Sequence, residues 1–95
     1  MRLTEEEKRA LKKALEGFEG EVYIFGSRLR EDLKGGDIDI LLIPKNPENP
    51  VELALRVQTK FLLECDQSID VLVYRDTEFY REVLKNAKRI SLEEL

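Results

Sequence analysis

Histidine and tryptophan are absent from the 95 residues, and cysteine occurs once. Without histidine there is no imidazole general base and no His-based zinc site. A single cysteine, Cys65, excludes an intrachain disulfide. It lies at an apolar-rich helix end with no histidine to activate it, which reads as a small core residue. No apolar run approaches the roughly 20 residues of a membrane span, and no signal-peptide pattern opens the chain. The expected location is therefore cytoplasmic. Charge of one sign is also missing: 16 Lys and Arg nearly balance 20 Asp and Glu, for a net charge of −4. That balance excludes a general nucleic-acid binder, and direct nucleic-acid contact is not expected. Asn and Gln are few while charged residues reach 38%, a composition that leans toward a thermophilic source.

What is present suffices for one domain over residues 1–95, with 42% apolar residues for a modest core. Thr4 followed by Glu7 forms a capping box. Behind it Ala10, Leu11, Ala14, Leu15 and Phe18 recur at helical spacing, and Gly17 or Gly20 ends this helix. Residues 21–25 read as a strand, and Ser27 as the cap of a short helix over residues 28–32. Lys34-Gly35-Gly36 breaks the chain before a second strand over residues 37–43. All three prolines fall between Pro44 and Pro50. Asn49 then caps a helix over residues 51–64, with Pro50 at its first position and Ala54, Leu55, Phe61 and Leu62 as its apolar residues. A third strand follows over residues 68–74. Asp76 or Thr77 caps a last helix over residues 78–86, and Arg89-Ile90 offers a short edge strand before a frayed tail. Helices alternating with strands indicate an α/β or α+β domain, a small mixed sheet with flanking helices.

The chemistry concentrates in Ile24-Phe25-Gly26-Ser27 and Asp37-Ile38-Asp39, separated by a nine-residue spacer. Side chains alternate along a strand, so Asp37 and Asp39 share a face. Neighbouring carboxylates resist ionising together unless a cation lies between them. Oxygen ligands suit Mg²⁺, which is commonly held by one or two carboxylates and substrate phosphates. A glycine turn entering a helix lets backbone N–H groups approach a phosphate. Asp70 stands mid-strand between Ile69 and Val71. If the second and third strands are neighbours, the three aspartates converge on one sheet face. An alternating strand with one wet face often carries aspartates, and Gly-Ser is a common turn. It is the joint pattern that points to metal-dependent chemistry on a nucleotide.

Residues 24–42 resemble the signature of the DNA polymerase β-like nucleotidyltransferase superfamily. The Gly-Ser-Arg start, the late Ile69-Asp70-Val71 and the short chain are similar to the minimal nucleotidyltransferases, commonly partnered by a helical HEPN-type protein. The resemblance implies a nucleotidyltransferase fold and transfer of AMP from ATP to an acceptor hydroxyl, with two Mg²⁺ ions. It places Gly26 and Ser27 at the triphosphate, with Arg28 at a basic position that often follows them. It makes Asp37, Asp39 and Asp70 the catalytic carboxylates and metal ligands, Asp70 also activating the acceptor. Gly36 departs from the pattern, since many relatives have Ser there. The resemblance further implies an antitoxin acting on a tyrosine of a HEPN toxin. A non-catalytic antitoxin that neutralises its partner by contact, and a subunit of a two-component transferase for small molecules, remain open.

So short a chain has little surface for both a core and a walled nucleotide cleft. A HEPN-type partner or a homo-oligomer is expected, through Phe79, Tyr80 and Leu84 or through Leu92 and Leu95. Lys8, Arg9, Lys12 and Lys13 alternate with acids as a solvated helix face. Tyr23, next to the Gly-Ser turn, is expected to pack on the sheet.

Overall fold

Thr4 and Glu7 close the capping box that opens α1 (Glu5–Ala14). The Glu7 N–H donates to Thr4 Oγ1 at 3.1 Å, and the Thr4 N–H donates to Glu7 Oε1 at 2.9 Å. In this computed structural model, which describes residues 3–29 and 37–95, α1 leads into β1 (Gly20–Phe25). A single 3₁₀ turn, Gly26–Leu29, follows the strand directly. The chain continues through β2 (Ile38–Pro44), α2 (Pro50–Cys65), β3 (Ile69–Val73), α3 (Glu78–Lys85) and β4 (Lys88–Ile90). Asn49 Oδ1 accepts from the N–H groups of Val51 and Glu52 to start α2, and Asp66 ends it in the left-handed region at φ 53°. Thr77 caps α3.

The sheet order is β3-β2-β1-β4. β1 runs antiparallel to both β2 and β4, while β2 and β3 are parallel. Parallel neighbours need a crossover connection, which α2 supplies. The sheet is thus mixed, in an α+β domain. Val22, Ile24, Ile38, Ile40, Leu42, Ile69, Val71 and Val73 form one buried face. They share a core with Leu11 and Leu15 from the first helical segment and Leu53, Val57 and Phe61 from α2. Strand parity sends Tyr23, Phe25, Asp39, Leu41, Asp70 and Leu72 to the opposite face.

Four local expectations change. The described part of the short helix after β1, Gly26–Leu29, is 3₁₀ and begins at Gly26, whose φ of 78° turns the chain at once; residues 30–36, with Arg30 and Gly36, lie outside the described residues. Asp37 precedes β2 rather than opening it. The core face of α2 is Leu53, Val57, Phe61 and Cys65 at i+4 spacing, which leaves Leu55 and Leu62 exposed. The tail does not fray: Leu92–Glu94 forms a 3₁₀ turn, and Leu92 and Leu95 pack against the core.

Candidate active site

The parallel register of β2 and β3 sets Asp39 directly beside Asp70. On the other flank, antiparallel pairing sets Phe25, the last residue of β1, opposite Asp39. Gly26 therefore leaves the sheet against the Asp39 side chain. A Cβ at Gly26 would fall on Asp39 Oδ2, and its φ of 78° is one that L side chains rarely adopt. The turn, the aspartate of the central strand and the aspartate of the edge strand form one continuous row. Asp37 is exposed, two residues upstream.

The electrostatics follow from that row. The Asp39 carboxyl is pushed up to about 6, first by burial, then by its hydrogen bond with Asp70 and the negative charges of Asp70 and Asp37. A carboxyl with a raised proton affinity beside a second carboxylate is the condition that a cation relieves. Among the described residues, no group of three or more His, Cys, Asp or Glu is close enough to hold a metal by itself. Asp39 and Asp70 are adjacent, and Asp37 acts on Asp39 through its charge. An oxygen-only donor set of this size fits a hard divalent cation that completes its shell with phosphate oxygens and water.

Arg28, in the turn after Gly26, makes a bidentate ion pair with Glu7 of α1. Nη1 donates to Oε1 and Nη2 to Oε2, each at 2.8 Å. The two side chains are 11% and 3% exposed. The guanidinium draws the Glu7 carboxyl below its usual value against the opposing effect of burial. The Asp37 charge also acts on Arg28. Glu7 reads in the sequence only as a capping residue. A signal was present: Glu7 lies three residues before Ala10 and four before Leu11, on the apolar face, where a carboxylate needs a partner.

Other sequence candidates fall outside this row. Tyr23 pairs across β1 with Leu41 and Arg89, and its hydroxyl donates to Glu21. Cys65 is buried, and desolvation raises its thiol pKa, as suits a core residue. The backbone of Gly26-Ser27 forms the turn.

The family model described as Polymerase beta, Nucleotidyltransferase matches residues 11–94. The chain belongs to this nucleotidyltransferase family. No curated protein sequence matches it. Among solved structures, the nucleotidyltransferase is similar to a chain of a toxin–antitoxin MntA–HpeT mutant, in which two aspartates two residues apart are changed to glutamate. That likeness has a TM-score of 0.63 at 16% identity, covering 86% of this chain and 70% of the other. It is also similar to a chain in the complex of tri-AMPylated Shewanella oneidensis HEPN toxin with MNT antitoxin. There the TM-score is 0.55 at 18% identity, covering 88% of this chain and 67% of the other. Both likenesses are of fold.

Proposed function

We propose that this nucleotidyltransferase moves AMP from ATP to a hydroxyl of a HEPN-type partner and so serves as an antitoxin. The observation that carries the reading is the row formed by Gly26, Asp39 and Asp70 at one end of the sheet. The turn of Gly26, Ser27 and Arg28 would hold the triphosphate, and Asp37, Asp39 and Asp70 would hold two Mg²⁺ ions. When bound, Mg²⁺ supplies charge neutralisation at the triphosphate and at the attacking oxygen. The acceptor oxygen would bond to the α-phosphorus as the bond to the bridging α–β oxygen breaks and pyrophosphate leaves. Asp70, exposed at the sheet edge, would take the acceptor proton. Asp39, half-buried between Phe25 and Asp70, would fix the reacting end of the nucleotide against the turn.

The structures most pertinent to the partner are the MntA–HpeT toxin–antitoxin complex and the MNT antitoxin bound to a tri-AMPylated HEPN toxin. A purely steric antitoxin would retain the unfavourable Asp39–Asp70 juxtaposition to no purpose, which favours a working site. A surface exists for assembly. Val51 and Leu55 are exposed beside β3, and with Leu72 and Tyr80 they line a groove of about 510 Å³ whose lining includes none of the three aspartates. Phe79 is exposed as well, whereas the tail leucines are taken up by the core.

The decisive experiment incubates the HEPN-type partner with the protein, ATP and Mg²⁺, then weighs the partner by mass spectrometry. Added AMP is expected with the wild type and none with Asp39→Asn. Equal modification by the variant would refute the assigned site.

A further inference from the structure

The Glu7–Arg28 pair does more than its stability role requires. A buried ion pair gains little over a well-packed apolar pair, because desolvation offsets the Coulomb attraction. Apolar residues already tie both segments to the core, with Leu3 and Leu29 packed against it on either side of this contact. What a fork-to-carboxylate pair adds is orientation, since two parallel hydrogen bonds fix the plane of the guanidinium. The carboxylate is itself fixed. Glu7 Oε1 accepts both the Thr4 N–H and Arg28 Nη1, while Oε2 accepts Nη2. The capping box of α1 thus anchors the carboxylate, and the carboxylate anchors Arg28. Arg28 lies two residues after Gly26, whose Cα lies against the Asp39 carboxylate. Its charge is also felt from Asp37.

We infer that Glu7 is a positioning residue for nucleotide binding: through Arg28 it holds the Gly26-Ser27 turn at the distance from Asp39 that a metal-bound triphosphate needs. This rests on the proposed function, because it assigns the turn to the triphosphate. Glu7 touches no ligand and acts through the guanidinium. Partners that orient liganding groups typically change affinity by roughly 10–100-fold when removed.

The test titrates α,β-methylene-ATP with Mg²⁺ into the full chain by calorimetry, at a temperature well below the melting point of every variant. Glu7→Gln keeps volume and a capping acceptor but loses the charged two-oxygen face. It is expected to weaken binding about tenfold. Leu53→Val, in the core at the N-terminal end of α2 and so at the end of the sheet opposite Asp39 and Asp70, lowers the melting temperature and is expected to bind as the wild type does. If Glu7→Gln fails to fold, Glu7→Asp keeps the charge but shortens the reach, and the same weakening is expected. Wild-type affinity in the Glu7 variants overturns the inference, as does tighter binding, which would mean that Glu7 holds Arg28 back from the triphosphate instead of placing the turn for it. Equal weakening in Leu53→Val also overturns it, by reducing the effect to stability. Absence of binding by the wild type refutes the nucleotide site itself, and the inference falls with it.

Discussion

At Asp39, burial and the neighbouring carboxylates act in one direction, holding the carboxyl's pKa at about 6 in the folded protein. An unfolded chain releases that proton near pH ~4. Between these values the native state binds more protons than the unfolded state, so the group's contribution makes stability fall as pH rises. Asp39→Asn removes this contribution and keeps a side chain able to donate to Asp70. In metal-free buffer the variant should therefore melt above the wild type at pH 7.5, and the advantage should shrink toward pH 4. Melting curves across that range with a chelator present provide the check. A variant less stable than the wild type at neutral pH would mean that the carboxylate's contacts outweigh its repulsion. Glu7 is the counterexample. Arg28 lowers its pKa, so its contribution is present above the unfolded value and is lost as pH falls through the folded one. Two acids of one small domain thus have opposite pH signatures: burial raises both, Asp70 and Asp37 add to it at Asp39, and Arg28 outweighs it at Glu7.

The β1-turn junction shows how an element ends where chemistry begins. Gly17 and Gly26 have nearly the same φ, 83° and 78°, but different surroundings. A Cβ on Gly17 meets nothing within 4 Å, whereas one on Gly26 meets the Asp39 carboxylate. Gly17→Ala should cost about 1–2 kcal/mol, the left-handed strain alone. Gly26→Ala should cost about 1–3 kcal/mol more from overpacking, and it should also abolish transfer by moving Asp39. Urea denaturation of the two variants measures the difference, and equal losses would mean that Asp39 yields without cost. The same contrast explains what was legible in the sequence. Caps and alternation are local, so Thr4-Glu7, Asn49-Pro50 and Ile69-Val71-Val73 located their elements within a residue or two. The face of α2 was misjudged because Leu53, Leu55, Leu62 and Leu63 are equally apolar as letters. Only packing against α1 and β3 selects among them. That Asp39 and Asp70 share a face followed from parity once β2 and β3 were assumed adjacent, but the register that sets them side by side did not. The Arg28–Glu7 contact spans 21 residues, and no periodicity carries it.

For the whole molecule, the same small size that limits the core makes ligand binding easy to detect. The native sheet presents carboxylates beside an open turn, and the unfolded chain presents neither arrangement, so a ligand of the site stabilises only the native state. At a hundredfold excess over its dissociation constant, a ligand adds about 2.7 kcal/mol. In a domain of this size each kcal/mol moves the melting temperature by roughly 4–8 °C. Mg²⁺ alone meets two adjacent carboxylates with too few donors to complete its shell, and ATP alone brings its negative phosphates toward Asp37, Asp39 and Asp70. Each supplies what the other lacks: the cation offsets the repulsion, and the phosphates complete the coordination. Mg²⁺ and ATP together should therefore raise the melting temperature by more than the sum of their separate effects. That excess should vanish in the double variant Asp37→Asn/Asp39→Asn. Differential scanning fluorimetry with the four ligand conditions on both proteins makes the comparison. An undiminished joint shift in the double variant would place the nucleotide somewhere other than the row of Gly26, Asp39 and Asp70.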